Sequence, residues 1–253
     1  MPDLLTGVLA TPGLFWLIAT IGAAGIVRGF TGFGTALIFV PVAAMFLPAA
    51  DVVALITMTG IASTAALLPR AMGTGDVAEV GVMALAALVT VPLGLWLLSL
   101  LDQIVIRWLA AGVAGAMLGA LVAGWRFSGE VRKGGLLGVG GAAGLIGGLT
   151  GLTGPAVILF YLSGAARAEI VRANTIIFLA ALDVVIVANL MLRGMTDLSL
   201  FLLAMLLAVP YFATTMLGQA LFDPGLERFY RWAAYGVIAL AVVTGLPIWQ
   251  QGG

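Results

Sequence analysis

The chain has 253 residues, of which 62% are apolar or aromatic and only 9% are charged, against about 25% charged in an ordinary soluble domain. Its 11 basic and 11 acidic side chains sum to a net charge of zero, and its mean hydropathy is +1.20. Too few charges are present to cover a water-facing surface of this size, whereas a lipid-facing one needs none; a soluble globular protein is excluded, and an all-α polytopic membrane bundle is expected. The chain has no Cys and no His, which removes thiolate and imidazole catalysis, haem ligation and the usual zinc sites; neither a cofactor, a metal nor an enzymatic activity is expected. The single lysine, Lys133, leaves no polybasic patch for nucleic acid. Met1-Pro2-Asp3 lacks a positive n-region, so no cleaved signal peptide is read.

Apolar runs between charged or Pro/Gly-rich breaks predict ten segments, at about 13–27, 34–48, 51–68, 77–100, 105–125, 135–148, 152–164, 173–192, 198–222 and 232–249. At 1.5 Å per residue, the first, second, sixth and seventh are too short to cross a hydrocarbon core of about 30 Å. These short segments fall at corresponding places in two halves, which points to an internal repeat. Gly29-Phe30-Thr31-Gly32-Phe33-Gly34-Thr35 recurs as Gly148-Leu149-Thr150-Gly151-Leu152-Thr153-Gly154, 119 residues on. Arg70, Gly73 and Asp76 recur as Arg193, Gly194 and Asp197, and Asp102 and Arg107 as Asp223 and Arg228, at offsets of 121 to 123. The expected organisation is a first transmembrane repeat over 1–126 and a second over 127–253, within one integral membrane domain.

Five segments per half is an odd number, so the second repeat should run inverted. Alternate loops then hold Arg28, Arg70, Arg126, Arg132, Lys133, Arg167, Arg172, Arg228 and Arg231 on one side, and Arg107 and Arg193 on the other. By the positive-inside rule, the first set faces the cytoplasm and both termini lie outside it, in a multi-pass protein of the cell (inner) membrane.

Inverted repeats with short, Gly/Pro-interrupted segments at matching positions are a pointer to a secondary transporter's binding site near the midplane. A helix that breaks inside the membrane leaves its first N–H groups without partners and carries partial positive charge there. Gly32, Gly34, Gly151 and Gly154 allow close approach of those amides, and the hydroxyls of Thr31, Thr35, Thr150 and Thr153 can donate to oxygens. Phe33 and Leu152 lie within the same breaks. Such a site suits a small oxyanion.

The stretches GIVRGFTGFGTALIFVP (Gly25 to Pro41) and GLIGGLTGLTGPAVILFYL (Gly144 to Leu162) resemble the duplicated glycine motif of the TauE/SafE family of sulfite and organosulfonate permeases, and the resemblance covers essentially the whole chain. Thr35 and Ala36 stand where the family usually continues a glycine run, and Thr153 and Pro155 where small residues are common. The resemblance implies an anion transporter for sulfite, sulfonates, thiosulfate or related small organic anions.

Each candidate also has a plainer role. The glycines serve helix packing in many bundles, but their duplication at the short segments favours the site. Arg28 neutralises an anion or marks a cytoplasmic helix end, with the balance slightly toward the loop role. Asp183, in the middle of the eighth segment, is a proton or coupling candidate because a carboxylate is expensive there; the alternative is a structural partner for an arginine. Asn174 donates its amide to the ligand or caps a helix start. Thr214, Thr215 and Gln219 read mainly as interhelical hydrogen-bonding groups, the tryptophans as interfacial anchors, and Pro41, Pro92, Pro155 and Pro210 as kinks.

With the inside negative by roughly 100 mV, outward movement of an anion is favoured by about 2.3 kcal/mol per charge. The expected function is therefore export of a small sulfur-containing anion by alternating access around the two breaks. The alternative is a proton-coupled importer of another small organic anion, such as a carboxylate. The expected partners are the anionic substrate and the lipid bilayer, with a homo-oligomer compatible with the sequence.

Overall fold

The computed structural model describes residues 2–65, 67–124, 133–163, 168–221 and 227–250. Arg126, Arg132, Arg167, Asp223 and Trp125 lie outside them, as do the side chains of Lys133, Arg228 and Trp249. Among the described residues there are α-helices and one short 3₁₀ turn, with no strand.

The first half contains α1 (Pro2–Leu9), α2 (Leu14–Thr31), α3 (Thr35–Ala43), α4 (Ala49–Ala65), α5 (Leu68–Thr74), α6 (Val77–Leu100) and α7 (Gln103–Val122). The second contains α8 (Lys133–Thr150), α9 (Pro155–Ser163), α10 (Ala168–Leu192), α11 (Leu198–Ala220) and α12 (Glu227–Gly245), followed by the 3₁₀ turn Pro247–Gln250. The ten predicted segments correspond to α2, α3, α4 and α6 through α12; α1 and α5 are additional.

Two of the four short segments are longer than expected: α2 runs on to Thr31 and α8 begins at Lys133, so each has 18 residues, about 27 Å of helix. Arg28 and the glycines around it end the apolar run in the sequence, yet α2 continues through them because Gly32, not Arg28, carries the left-handed turn. Five helices, α2, α6, α7, α10 and α11, are long and apolar enough to cross a membrane, and α4 and α5 qualify together across a 69° bend. Between 28% and 44% of each of the five is buried. Most of the rest of their surface is apolar, with Phe15, Trp16, Leu85, Val89, Trp96 and Val209 among the exposed side chains, as lipid contact requires.

Local chemistry explains the boundaries. Asp76 accepts hydrogen bonds from the Ala78 and Glu79 amides (both 3.0 Å) and starts α6. Asp197 accepts from Leu200 N–H and Ser199 Oγ (both 2.8 Å) and starts α11. Each supplies the oxygen that a helix N-terminus lacks. Pro155 sits at the first position of α9, where its missing N–H costs nothing, so it opens a helix and does not kink one. Pro92 and Pro210 lie inside α6 and α11.

The most extensive helix contacts are α6 with α8 and α2 with α11. Both join one half to the other, and both are made by glycines. A methyl group on Gly29 would lie 2.7 Å from the Gly218 Cα and 2.6 Å from the Thr215 carbonyl oxygen. One on Gly148 would lie 2.7 Å from the Val91 carbonyl oxygen and 3.3 Å from the Gly94 Cα. In a membrane, where burying apolar surface drives no association, this backbone-to-backbone approach supplies the dispersion contact that holds helices together. Thr214 and Thr215 sit at the α2–α11 contact and bond back to the carbonyls of Pro210 and Tyr211.

Candidate anion site between the two helix breaks

Both breaks begin with the same turn. At the end of α2, Thr31 Oγ1 donates to the Val27 carbonyl (2.8 Å) and accepts from Phe33 N–H (3.3 Å). Gly32 follows at φ +79° and donates to the Arg28 carbonyl (2.7 Å). At the end of α8, Thr150 Oγ1 donates to the Ile146 carbonyl (2.8 Å) and accepts from Leu152 N–H (3.3 Å). Gly151 follows at φ +77° and donates to the Gly147 carbonyl (2.8 Å). The left-handed φ at these two positions suits glycine, because a Cβ would meet its own carbonyl.

The two breaks meet around one cavity of about 40 Å³, room for about three water molecules. The first break contributes Phe33, Gly34 and Thr35, the second Gly151, Thr153, Gly154 and Pro155, with Arg28 from α2, Asp183 from α10 and Tyr211 from α11. Ile56, Gly60, Ile158 and Leu179 are among the residues completing the wall. Gly34 precedes α3 without a side-chain cap, so the first amides of that helix, at cavity-lining residues, lack a side-chain partner.

Three polar side chains around this cavity are uncommitted as well. Arg28, half-buried in the last turn of α2, makes no hydrogen bond or ion pair with any described residue, and its guanidinium carbon lies 5.9 Å from the centre of the Tyr211 ring. Thr153 is 9% exposed, and its hydroxyl has no partner among the described residues. Asp183 is 5% exposed and likewise has neither a hydrogen bond nor an ion pair there. Its carboxylate faces Gly60, where a methyl group would collide with Oδ2. A guanidinium with five donors, a hydroxyl and a set of helix amides can together surround an oxyanion.

Of the residues singled out in the sequence, Arg28, Phe33, Gly34, Thr35, Gly151, Thr153, Gly154 and Asp183 line the cavity. Arg28 and Asp183 thus share one cavity, and the Arg28 charge acts on the Asp183 carboxyl although no ion pair within 4.0 Å joins them among the described residues. Thr31, Gly32, Thr150 and Leu152 stand behind the lining. The two threonine hydroxyls are spent on closing the turns, and Leu152 is fully buried.

Asn174 is elsewhere, and it is not the cap of its own helix. Its Oδ1 accepts from Asp76 N–H (2.7 Å), and its Nδ2 donates to Glu79 Oε1 (3.2 Å), which also accepts from the Tyr161 hydroxyl (2.7 Å). It ties α10 to the start of α6.

Tyr211 and Gly60 were not singled out in the sequence. Tyr211 is 1% exposed, and its hydroxyl shares a hydrogen bond of 2.9 Å with Thr35 Oγ1, holding the first turn of α3 while its ring lies beneath Arg28. A tyrosine inside an apolar run needs a polar partner, and that was the available signal.

No curated protein and no solved structure matches the chain. The sulfite exporter TauE/SafE family matches residues 17–244, an interval that contains every residue of the cavity. That family is one of membrane transporters and not of enzymes, which agrees with helices long and apolar enough to cross a membrane. The chain belongs to the sulfite exporter TauE/SafE family.

Proposed function

We propose that this protein exports a small sulfur-containing anion, such as sulfite or an organosulfonate, across the cell membrane by alternating access around the cavity between the two breaks. In this reading residues 1–126 and 127–253 are inverted repeats, and both termini lie outside the cytoplasm. The observation that carries it is the convergence on one cavity of both breaks with an unengaged guanidinium, Arg28, and an unengaged hydroxyl, Thr153. The matching hydrogen bonds of Thr31 and Thr150 and the matching caps of Asp76 and Asp197 support the repeat. Removing Arg28 from the loop charges leaves eight basic residues against two, a bias that supports this orientation.

The test is binding of sulfite, isethionate, taurine, sulfoacetate and acetate to the detergent-solubilised protein by calorimetry, followed by uptake into proteoliposomes. A sulfur anion binds the native protein and Arg70→Gln, whose side chain is exposed away from the cavity, and fails to bind Arg28→Gln. Acetate binding with no sulfur anion binding, or equal binding to Arg28→Gln, refutes the proposal.

A further inference from the structure

Anion recognition alone gives no reason for a carboxylate in this cavity. Asp183 is buried, lacks any hydrogen-bonding or ion-pairing partner among the described residues, and shares about 40 Å³ with Arg28. The titratable groups facing it there are Arg28 from α2 and Tyr211 from α11; α3, α4 and α9 present to the cavity only Thr35, Gly60, Ile158 and other uncharged residues. From α6, Asp76 and Glu79 gather around Asn174, nine residues from Asp183 along α10 or about 13 Å. Arg70 on α5 is exposed, and Lys133 stands at the end of α8 opposite its break.

Charge counting follows from this composition. Arginine stays protonated, so the cavity is neutral when empty if Asp183 is ionised. A monovalent anion would then leave one uncompensated negative charge among Ile56, Ile158 and Leu179, which burial penalises heavily. A proton on Asp183 restores neutrality. It also turns the acceptor-only carboxylate facing the ligand into a hydroxyl donor.

Resting on the anion reading of this cavity, we propose that the anion is carried together with one proton held on Asp183, as an electroneutral pair. The proton is taken from water on the loading side and returned to water on the other, and no bond in the anion changes. Transport is then driven by the anion gradient and the pH difference, and not by the membrane potential. With the outside one pH unit more acid, export stalls at a tenfold inside-to-outside anion ratio.

The experiment uses proteoliposomes containing the full chain, with isethionate as the first probe because its sulfonate stays ionised across the working pH range, and sulfite as the second. With the potential clamped at zero and no anion gradient, one unit of acid outside should concentrate isethionate about tenfold in native vesicles, and a potential at equal pH should do nothing. Asp183→Asn, whose folding is checked by its melting curve, should lose the response to pH and follow the potential instead, about tenfold per 59 mV. Uptake by the native protein that follows the potential and ignores pH overturns the coupling but leaves the anion site standing. Failure of the native protein to bind or take up either probe overturns the anion reading, and the coupling with it.

Discussion

Gly60→Ala separates stability from function in a way that can be worked out from the contacts. Gly60 lies within α4 opposite Asp183, and a methyl group there would collide with Oδ2 and lie 3.2 Å from Cγ. The carboxylate must swing away. Moving it off its rotamer costs about 0.5–1.5 kcal/mol, while replacing glycine by alanine inside a helix contributes about 0.5–1 kcal/mol in the other direction. The two nearly cancel, so the melting temperature in detergent should stay within about 3 °C of the native value. Ligand binding should not. On the reading proposed above, a displaced Asp183 loses its hydrogen bond to the bound anion, and a hydrogen bond to a charged group is worth about 1.5–3 kcal/mol, which corresponds to roughly 10- to 100-fold in affinity. Calorimetric titration with the anion that binds the native protein, run beside a thermal melt, reads both quantities. An affinity within twofold of native at an unchanged melting temperature would refute the claim that the position of Asp183 matters to the ligand.

Three further predictions concern packing, positioning and capping. Gly29→Ala forces a methyl group against backbone of α11 that no rotamer change can move, so it should destabilise by about 1–3 kcal/mol. Gly112→Ala, on an exposed face of α7 with nothing within 4 Å, should melt at or slightly above the native temperature; equal losses in the two variants contradict the packing account. Tyr211→Phe removes the bond to Thr35 but keeps the ring beneath Arg28; it should cost about 1 kcal/mol of stability and less than Tyr211→Ala in anion affinity, and equal affinity losses argue against the ring's role. Asp197→Ala should cost about 0.5–1 kcal/mol, the low end for a helix cap because the site is exposed. The Leu200 amide and the Ser199 hydroxyl hold the Asp197 carboxyl below the ordinary range. Its stabilisation is therefore complete above the unfolded value of about 3.9 and is lost as pH falls through the lower folded value. From pH 6 to pH 3 the gap between the native and variant melting temperatures should narrow once the pH falls below about 3.9, and a constant gap rejects the cap as its origin.

Much of the architecture was legible because it is carried by local chemistry. Apolar runs mark the helices whatever their neighbours, and Asp76 and Asp197, noticed in the sequence only as matched loop residues, are the caps of α6 and α11. The two breaks were legible for the same reason, since a glycine needed for a left-handed turn is needed whether or not a ligand binds. What the sequence withheld was which side of each break faces inward. Thr31 and Thr35 are equally plausible donors on paper. Closing the turn consumes the first, and burial beside Tyr211 directs the second toward the cavity. Asn174 was drawn to the site by its nearness in sequence to the second glycine motif, but α10 carries it to the start of α6. Gly60 gave no signal, because its importance lies in a side chain 123 positions away.

The glycine-lined contacts also constrain how the molecule can move. Because α2 is docked backbone to backbone on α11, and α8 on α6, a rotation of one sequence half against the other would have to tear open the two most extensive helix seams among the described residues. Packed backbones do not slide gradually past each other. On the alternating-access reading proposed above, the units that travel together are mixed, α2 with α11 and α8 with α6, each carrying one break at its tip. On that same reading, opening the cavity to either face is a parting of these two hybrid pairs, with the short links after each break, and not the joint between the halves, as the hinge.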